Sequence, residues 1–509
     1  MSESNSRDQS TTAVKAGRGF LVISLAKLWF MVGGATITFG LPIVFSYLDD
    51  DGRKLYGQYY DINNTLSIFS MVIIGSLLPG VSRFASTTGI SKHLLLEKGR
   101  QLALILGGGL LLAFIALADQ YAEYRGHPHL NLAYLFAGGI CLAYAFYAVH
   151  IGVINGEKRF KSQAIFDVIF TTLKVLLVVG AASIGFGVTG AFCGFAMAAI
   201  IIAGLSSRAL GTQSHSGSAP QGFYIFVGWL ILYTLSFNLA FKVDALILRP
   251  SLTPLLAEQT AIDVLMGEYG LAVSLSRLPW QGTIALTFVI FPMISEATFH
   301  NDRERTKLYI ENTMRYALML ICAIALPLCA RPDYIFDCLP GYSLGASTLT
   351  WMAPAYVCFS LANLHNTILM SSGRAKTALA LMLASLVLIM STFTLEFSGV
   401  RQADRLLTIA GEMSLLSFGV VSIMGALIIK RTFGGYLSIL SLARIALVAV
   451  LTIELSNLVD FSSFEAKLCV LACVPFIFVA GLYVIGELNE DDRQKFSRAF
   501  LSRIGGKRK

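Results

Sequence analysis

Fourteen apolar stretches, each long enough to cross a bilayer, occupy most of this chain, near 19–47, 56–82, 101–119, 131–154, 164–184, 186–207, 222–248, 266–298, 313–331, 346–371, 377–397, 406–429, 438–459 and 466–487. A hydrocarbon core about 30 Å thick needs roughly 20 helical residues to span it, and a backbone surrounded by lipid must satisfy its own polar groups. The pattern predicts an all-α integral membrane protein with about 14 transmembrane helices and little chain left for a soluble domain. Composition agrees: 55% of residues are hydrophobic, only 14% are charged, and mean hydropathy is +0.68. A soluble globular chain carries about a quarter charged residues.

Orientation follows from the 39 Lys and Arg. Five lie inside spans, eight (Arg53, Lys54, Arg125, Arg249, Arg331, Arg401, Arg405 and Lys467) fall in alternate loops, and the other 26 crowd onto the face shared by both termini. Cytoplasmic loops hold the basic excess, so both termini are expected in the cytoplasm. The net charge of +8 is thereby a topology signal, and nucleic acid is not expected as a partner.

The expected organisation is a disordered cytoplasmic N-terminus over 1–18, a first six-helix lobe over 19–208, a Ser/Gly-rich cytoplasmic linker over 209–221, a second six-helix lobe over 222–430, two further helices over 431–487 and a basic cytoplasmic tail over 488–509. The first span is too long for a removable signal peptide and lacks its small-residue cleavage site, so it is read as an uncleaved helix. The eight cysteines form neither a disulfide framework nor a metal-ligand spacing; only Cys338 is clearly in a loop.

The lobes repeat one another. Residues 56–86 (YGQYYDINNTLSIFSMVIIGSLLPGVSRFAS) and 266–297 (MGEYGLAVSLSRLPWQGTIALTFVIFPMISEA) both open on Gly-x-Tyr and close on Pro-x-x-Ser, pairing Gly57 with Gly267 and Pro79 with Pro292. NGEKRFK at 155–161 answers SGRAKT at 372–377, pairing Gly156 with Gly373. A parallel repeat of this size predicts two pseudo-symmetric six-helix bundles, plus two appended helices, working around a central site.

YGQYY, the segment NGEKRFKSQAIFDVIFTTLKVLLVVGAASIGFGVTGAFCG at 155–194 and GEYGLAVSLSRLPWQGTIALTFVIFPMISEA at 267–297 together resemble the polysaccharide-export branch of the multidrug/oligosaccharidyl-lipid/polysaccharide (MOP) transporter superfamily, the Wzx-type flippases. The resemblance covers most of spans one to twelve. It implies alternating-access movement of an undecaprenyl-diphosphate-linked oligosaccharide, an O-antigen or exopolysaccharide repeat unit, from the inner to the outer leaflet of a bacterial inner membrane. Membrane lipids, a polysaccharide polymerase and glycosyltransferases are the partners such a role implies. The related lipid II flippases usually carry an Arg-rich first-helix motif and an Asp–Phe in the second helix, both missing here. A multidrug antiporter and a membrane glycan polymerase are the remaining alternatives, the latter disfavoured because the longest outward loops are only those around 249–265 and 332–345.

A charge kept at the centre of a spanning helix costs on the order of 3 kcal/mol or more and needs a reason. Lys27, Lys174, Lys242 and Arg277 stand well inside spans, accompanied by Asp61, Asp167 and Asp244. Lys174 lies roughly 15 Å along its helix at about 1.5 Å per residue, with Thr171 and Asp167 on the same face. The excess of positive groups suits a diphosphate, and a guanidinium such as Arg277 can bind one bidentately. A cationic-drug exporter would instead place acidic groups at mid-depth. The four basic residues are therefore the candidate diphosphate ligands, and Asp244, Asp61 and Asp167 the candidate ion-coupling acids for a proton or sodium gradient. Downstream consumption of the glycan is the other energy source.

His150 and His365, near the cytoplasmic ends of spans four and ten, are read as polar helix contacts. Gly107–Gly109 suggests close helix packing, Gly185–Gly187 a tight turn, and Pro79 and Pro292 helix kinks. Neither a metal cluster, a Ser–His–Asp set nor a Walker motif occurs. Catalysis, cofactors and direct use of ATP are accordingly not expected.

Overall fold

In a computed structural model the described residues are 26, 28–49, 51–87, 89–211, 216–299, 302–339, 341–397 and 399–488. Lys27 and the expectations for 1–18 and for the tail beyond Leu488 lie outside them. The described residues are 87% helical, and no strand occurs among them, only an isolated bridge between Ile90 and Ser218. The all-α membrane architecture expected from hydropathy is what forms.

The helices are α1 (Leu28–Ser46), α2 (Gly52–Ala85), α3 (Lys92–Tyr124), α4 (Asn131–Gly156), α5 (Phe160–Ala181), α6 (Gly187–Leu210), α7 (Phe223–Leu252), α8 (Gln259–Ser276), α9 (Leu278–Phe299), α10 (Arg303–Ala330), α11 (Gly345–Ser371), α12 (Ala375–Phe397), α13 (Ala403–Phe433), α14 (Ile439–Asn457) and α15 (Phe464–Val484). Eleven helical stretches among the described residues are long and apolar enough to cross a membrane unaided, and one of these, Phe160–Leu210, contains two expected spans. They turn at Gly185 and Gly187, whose φ values of +99° and +51° are costly for any residue with a Cβ. Span eight is broken into α8 and α9 at Arg277. Pro279, second residue of α9, lacks an N–H and crowds the carbonyl four residues earlier, so one straight helix cannot run through it. The break thus falls at Pro279, whereas α9 continues through position 292 and α2 through Pro79.

Two compact units result. The first comprises the described residues of Met1–Ser274, Leu339–Gly345 and Met382–Met413; the second comprises those of Leu275–Cys338, Ala346–Leu381 and Ser414–Lys509. In the first unit α4 is apolar all round and is packed by α2, α3 and α6. Close approach depends on small residues: a Cβ on Gly152 would stand 2.9 Å from the Leu78 carbonyl oxygen, and one on Gly107 2.9 Å from Ala145 Cβ. The crossover linker is tied down at its end, where Ser218 N–H donates to the Gly89 carbonyl (2.8 Å) and Ser91 N–H to that of Ser218 (3.0 Å).

In the second unit Ile290 and Ile294 of α9, Ile310, Met314 and Ile321 of α10, Leu364 and Ile368 of α11 and Ile429 of α13 share one apolar core. The two appended helices pack on α10 through Leu318 and Leu326 against Ile445, Val448, Val474 and Phe478. Ion pairs fix them at both ends. Glu487 takes Arg315 (2.8 Å) and Arg444 (3.5 Å), and at the far end Arg331 takes Asp333 (2.8 Å) and Asp460 (3.1 Å) while Lys467 takes Asp337 (2.7 Å).

The second landmark of the repeat needs a correction. After α4 the N–H groups of Lys158 and Arg159 donate to Asn155 and Ile154; after α11 those of Gly373 and Arg374 donate to Met370 and Leu369. Both are the same left-handed helix stop, with φ of +58° at Lys158 and +78° at Gly373. Gly373 therefore corresponds to Lys158, not to Gly156, whose role is to let α4 approach Ser82 and Ala85. On this register His150 corresponds to His365. Each buried ring contacts a hydroxyl, Ser206 Oγ at 3.1 Å and Tyr436 OH at 2.8 Å respectively.

Candidate functional site

The first landmark of the repeat is the point at which its two copies touch. Gly57 of α2 and Gly267 of α8 face one another so closely that a Cβ on Gly57 would overlap the Asp263 carbonyl oxygen, and one on Gly267 the Arg53 carbonyl oxygen. Glycine is required at both because backbone meets backbone. The contact is reciprocal. The residue after each glycine reaches the residue four before the other: Gln58 Nε2 donates to Asp263 Oδ2 (2.9 Å), and Glu268 Oε1 meets Arg53 Nη1 (3.5 Å). Glu268, fully buried, also accepts from the backbone N–H groups of Ser343 (3.1 Å) and Gly345 (2.9 Å). Arg53 in turn holds the Asp51 carboxyl below the usual carboxylate range through their hydrogen bond.

Beside this crossing lies a buried cluster of charges drawn from the start of α2, the end of α3, the loop after it, the end of α7 and the start of α8. Asp61, Arg125, His127, Arg249 and Asp263 are between 0% and 4% exposed. Arg125 grips Asp61 through both Nε and Nη2. Arg249 Nη2 donates to Asp263 Oδ1 (2.7 Å), and its Nε to the Arg125 carbonyl (2.8 Å). His127 Nε2 lies 2.7 Å from both Asp263 Oδ1 and Arg249 Nη2, whereas its Nδ1 has no hydrogen-bond partner among the described residues and stands 4.0 Å from Asp61 Oδ2. Buried charges of this kind persist only when paired.

Arg125 and Arg249 are read from the sequence as loop residues, and His127, Asp263 and Gln58 are not singled out at all. One signal is present in the sequence: Arg125 and Arg249 are among the eight basic residues expected on the face that the positive-inside rule depletes, where each one retained needs a reason. All eight basic residues assigned to that face, except Arg401, lie within 4.0 Å of a carboxylate.

Of the candidates named from the sequence, Asp61 alone enters the cluster. Lys174 is the fifteenth of 22 residues in α5, about 10 Å from the nearer helix end at ~1.5 Å per residue. Its Nζ sits 3.9 Å above the Phe195 ring, a cation–π contact, and among the described residues no carboxylate pairs with it. Asp167 accepts from Tyr147 OH (3.3 Å). Asp244 Oδ2 accepts from Tyr269 OH (2.7 Å), the tyrosine of the second Gly-x-Tyr, and its Oδ1 is buried without a hydrogen-bond partner among the described residues. Lys242, 5% exposed, offers its backbone carbonyl to Asn64 (3.2 Å). In the second unit Arg277 Nε donates to Tyr356 OH (3.1 Å), and Phe359 and Phe418 pack beside that ring. No group of His, Cys, Asp and Glu able to hold a metal occurs among the described residues.

No family model matches the chain. No curated protein matches it either. Among solved structures it is similar to an outward-facing multidrug resistance MATE family transporter of the MOP superfamily, with a TM-score of 0.63 and 13% identity over 82% of this chain and 95% of that one. It is similar to the lipid II flippase MurJ in an inward closed conformation, with a TM-score of 0.62 and 12% identity over 91% of this chain and 98% of that one. A MOP superfamily transporter from Pyrococcus furiosus, described by a reverse polarity of its binding pocket, gives a TM-score of 0.57 at 13% identity over 82% and 95%. The chain therefore has the fold of the MOP superfamily transporters.

Proposed function

We propose that the protein is a flippase that moves a polyprenyl-diphosphate-linked oligosaccharide from the inner to the outer leaflet of a bacterial inner membrane by alternating access. The observation that carries the reading is Lys174. An ammonium deep in a spanning helix with no carboxylate beside it costs on the order of 3 kcal/mol or more, and an anionic substrate offsets that cost only while bound. Lys242 and Arg277 are further diphosphate ligands in this reading, together with Lys27 outside the described residues. The likeness to a fold that includes MurJ supports a lipid-linked substrate.

In vesicles carrying the purified protein, a polyprenyl-diphosphate oligosaccharide should change leaflets. Lys174→Ala should abolish this at normal protein levels, and Lys174→Arg should retain part of it because the charge survives with altered geometry. Full transport by Lys174→Ala would remove the diphosphate role, and transport of lipid II in preference to the oligosaccharide would move the protein to the peptidoglycan reading.

Asp244, with one carboxylate oxygen free, is the best placed of Asp244, Asp61 and Asp167 to couple transport to a cation gradient, because Asp61 is already held by an arginine. Transport driven by an imposed proton or sodium gradient should lose its gradient dependence in Asp244→Asn. A mutant as gradient-dependent as the parent sinks that assignment. Orientation is open to direct test: in a cysteine-free background, single cysteines at Glu157 and Arg374 should label from the cytoplasm and those at Asp51 and Asp333 from outside. Labelling of Glu157 from outside reverses the topology.

A further inference from the structure

We propose that the segment 339–345 is a strap that Glu268 clamps onto α2 and α8 and that lets go in each transport cycle, a proposal that rests on the alternating-access reading. It is carried by the place where the chain changes company. Cys338 and Ala346 belong to the second compact unit, whereas the described residues of Leu339–Gly345 between them belong to the first. Any movement of one unit relative to the other therefore loads this segment.

The strap is anchored at two points. Tyr342, 4% exposed, sets its ring edge-on to Tyr56 of α2, with centroids 6.3 Å apart. Glu268 of α8, 0% exposed, accepts from the Ser343 N–H through Oε1 (3.1 Å) and from the Gly345 N–H through Oε2 (2.9 Å), while Arg53 Nη1 of α2 stands 3.5 Å from the same Oε1. A carboxylate is a stronger acceptor for such N–H groups than any neutral oxygen. The floor beneath the strap is firm, because α2 and α8 meet backbone to backbone at Gly57 and Gly267.

Release, not pivoting, follows from the want of slack. Gly345 is both the last clamped residue and the first residue of α11. No flexible link separates clamp from helix, so α11 cannot turn while Glu268 holds its first N–H. The rest of the strap is lightly held. Gly341, at φ +81°, Ser343 and Leu344 are exposed, which leaves Tyr342 as the single side chain to withdraw between Gly341 and Gly345. The Tyr342 hydroxyl is buried without a hydrogen-bond partner among the described residues, and water supplies that bond once the ring leaves. The carboxylate of Glu268 is thus the principal restraint.

Two measurements test the strap. Nitroxide labels at Ser343 and Tyr124, both exposed, read its position in lipid nanodiscs without substrate. Glu268→Ala, which removes two charge-assisted hydrogen bonds, should enlarge a displaced population about tenfold or more, and Glu268→Gln, which keeps one acceptor oxygen, should enlarge it less. A parental distance distribution in folded Glu268→Ala, or in Glu268→Gln should the alanine variant not fold, overturns the proposal. The second measurement locks the strap. Arg53 and Ser343 meet at one oxygen of Glu268, so cysteines at these two positions, in a cysteine-free background, lie within reach of a short bifunctional thiosulfonate. Bridging them should stop glycan movement in vesicles, and cleaving the bridge with reductant should restore it. Undiminished transport by the bridged protein would make the segment a pivot and overturn its release. If the unbridged protein moves no glycan, the substrate reading fails, and the distances taken without substrate still decide whether Glu268 holds the strap.

Discussion

Replacing Asp61 with alanine should lower the stability of the folded protein by about 3–5 kcal/mol, the cost of leaving one member of a buried ion pair uncompensated. Arg125 is 4% exposed and points its Nε and Nη2 donors at Asp61, so water does not take the place of the lost carboxylate. Thermal unfolding of the protein in detergent reads the change. The double variant Asp61→Leu/Arg125→Met removes both charges and should recover most of the loss, because a well-packed apolar pair often matches a buried salt bridge. If the single variant unfolds at the parental temperature, the pair is not carrying the packing of α2 against α3.

A comparable loss is expected from Gly57→Val. The new side chain meets the Asp263 backbone rather than a flexible side chain, so relief requires α2 and α8 to separate; overpacking costs about 1–3 kcal/mol where side chains alone must shift, and more where backbone must. Gly267→Val should match it for the reciprocal reason. The two should be strongly non-additive, because helices pushed apart by one valine already have room for the other. Gly34 is the control, with nothing within 4 Å of a Cβ there, and Gly34→Ala should be tolerated. Additive losses at Gly57 and Gly267 in a thermal melt would mean that the residues do not share one contact.

The spans are legible in the sequence because bilayer thickness and backbone satisfaction impose lengths that hydropathy records directly. Gly57 and Gly267 are legible as a pair for a similar reason: a site where backbones meet tolerates no side chain. The buried cluster is not. Arg125 and Arg249 sit at helix ends, where a basic residue ordinarily reaches water, and only the fold brings the carboxylates of Asp61 and Asp263 to them. Span eight is read as one helix because Pro292 draws attention that belongs to Pro279. Gly156 is matched to Gly373 because glycine is the usual left-handed residue, while Lys158 adopts that conformation in the first copy.

The ion pairs at both extremities of α14 and α15 have a mechanical meaning. A rod bolted to its neighbour at a single point can pivot, and one held only by apolar side chains can slide; bolted at both extremities it can do neither. Glu487 with Arg315 and Arg444 is one bolt, and Arg331 with Asp460 together with Lys467 with Asp337 is the other. Wherever α10 moves, the last two helices are carried along as cargo bolted to it.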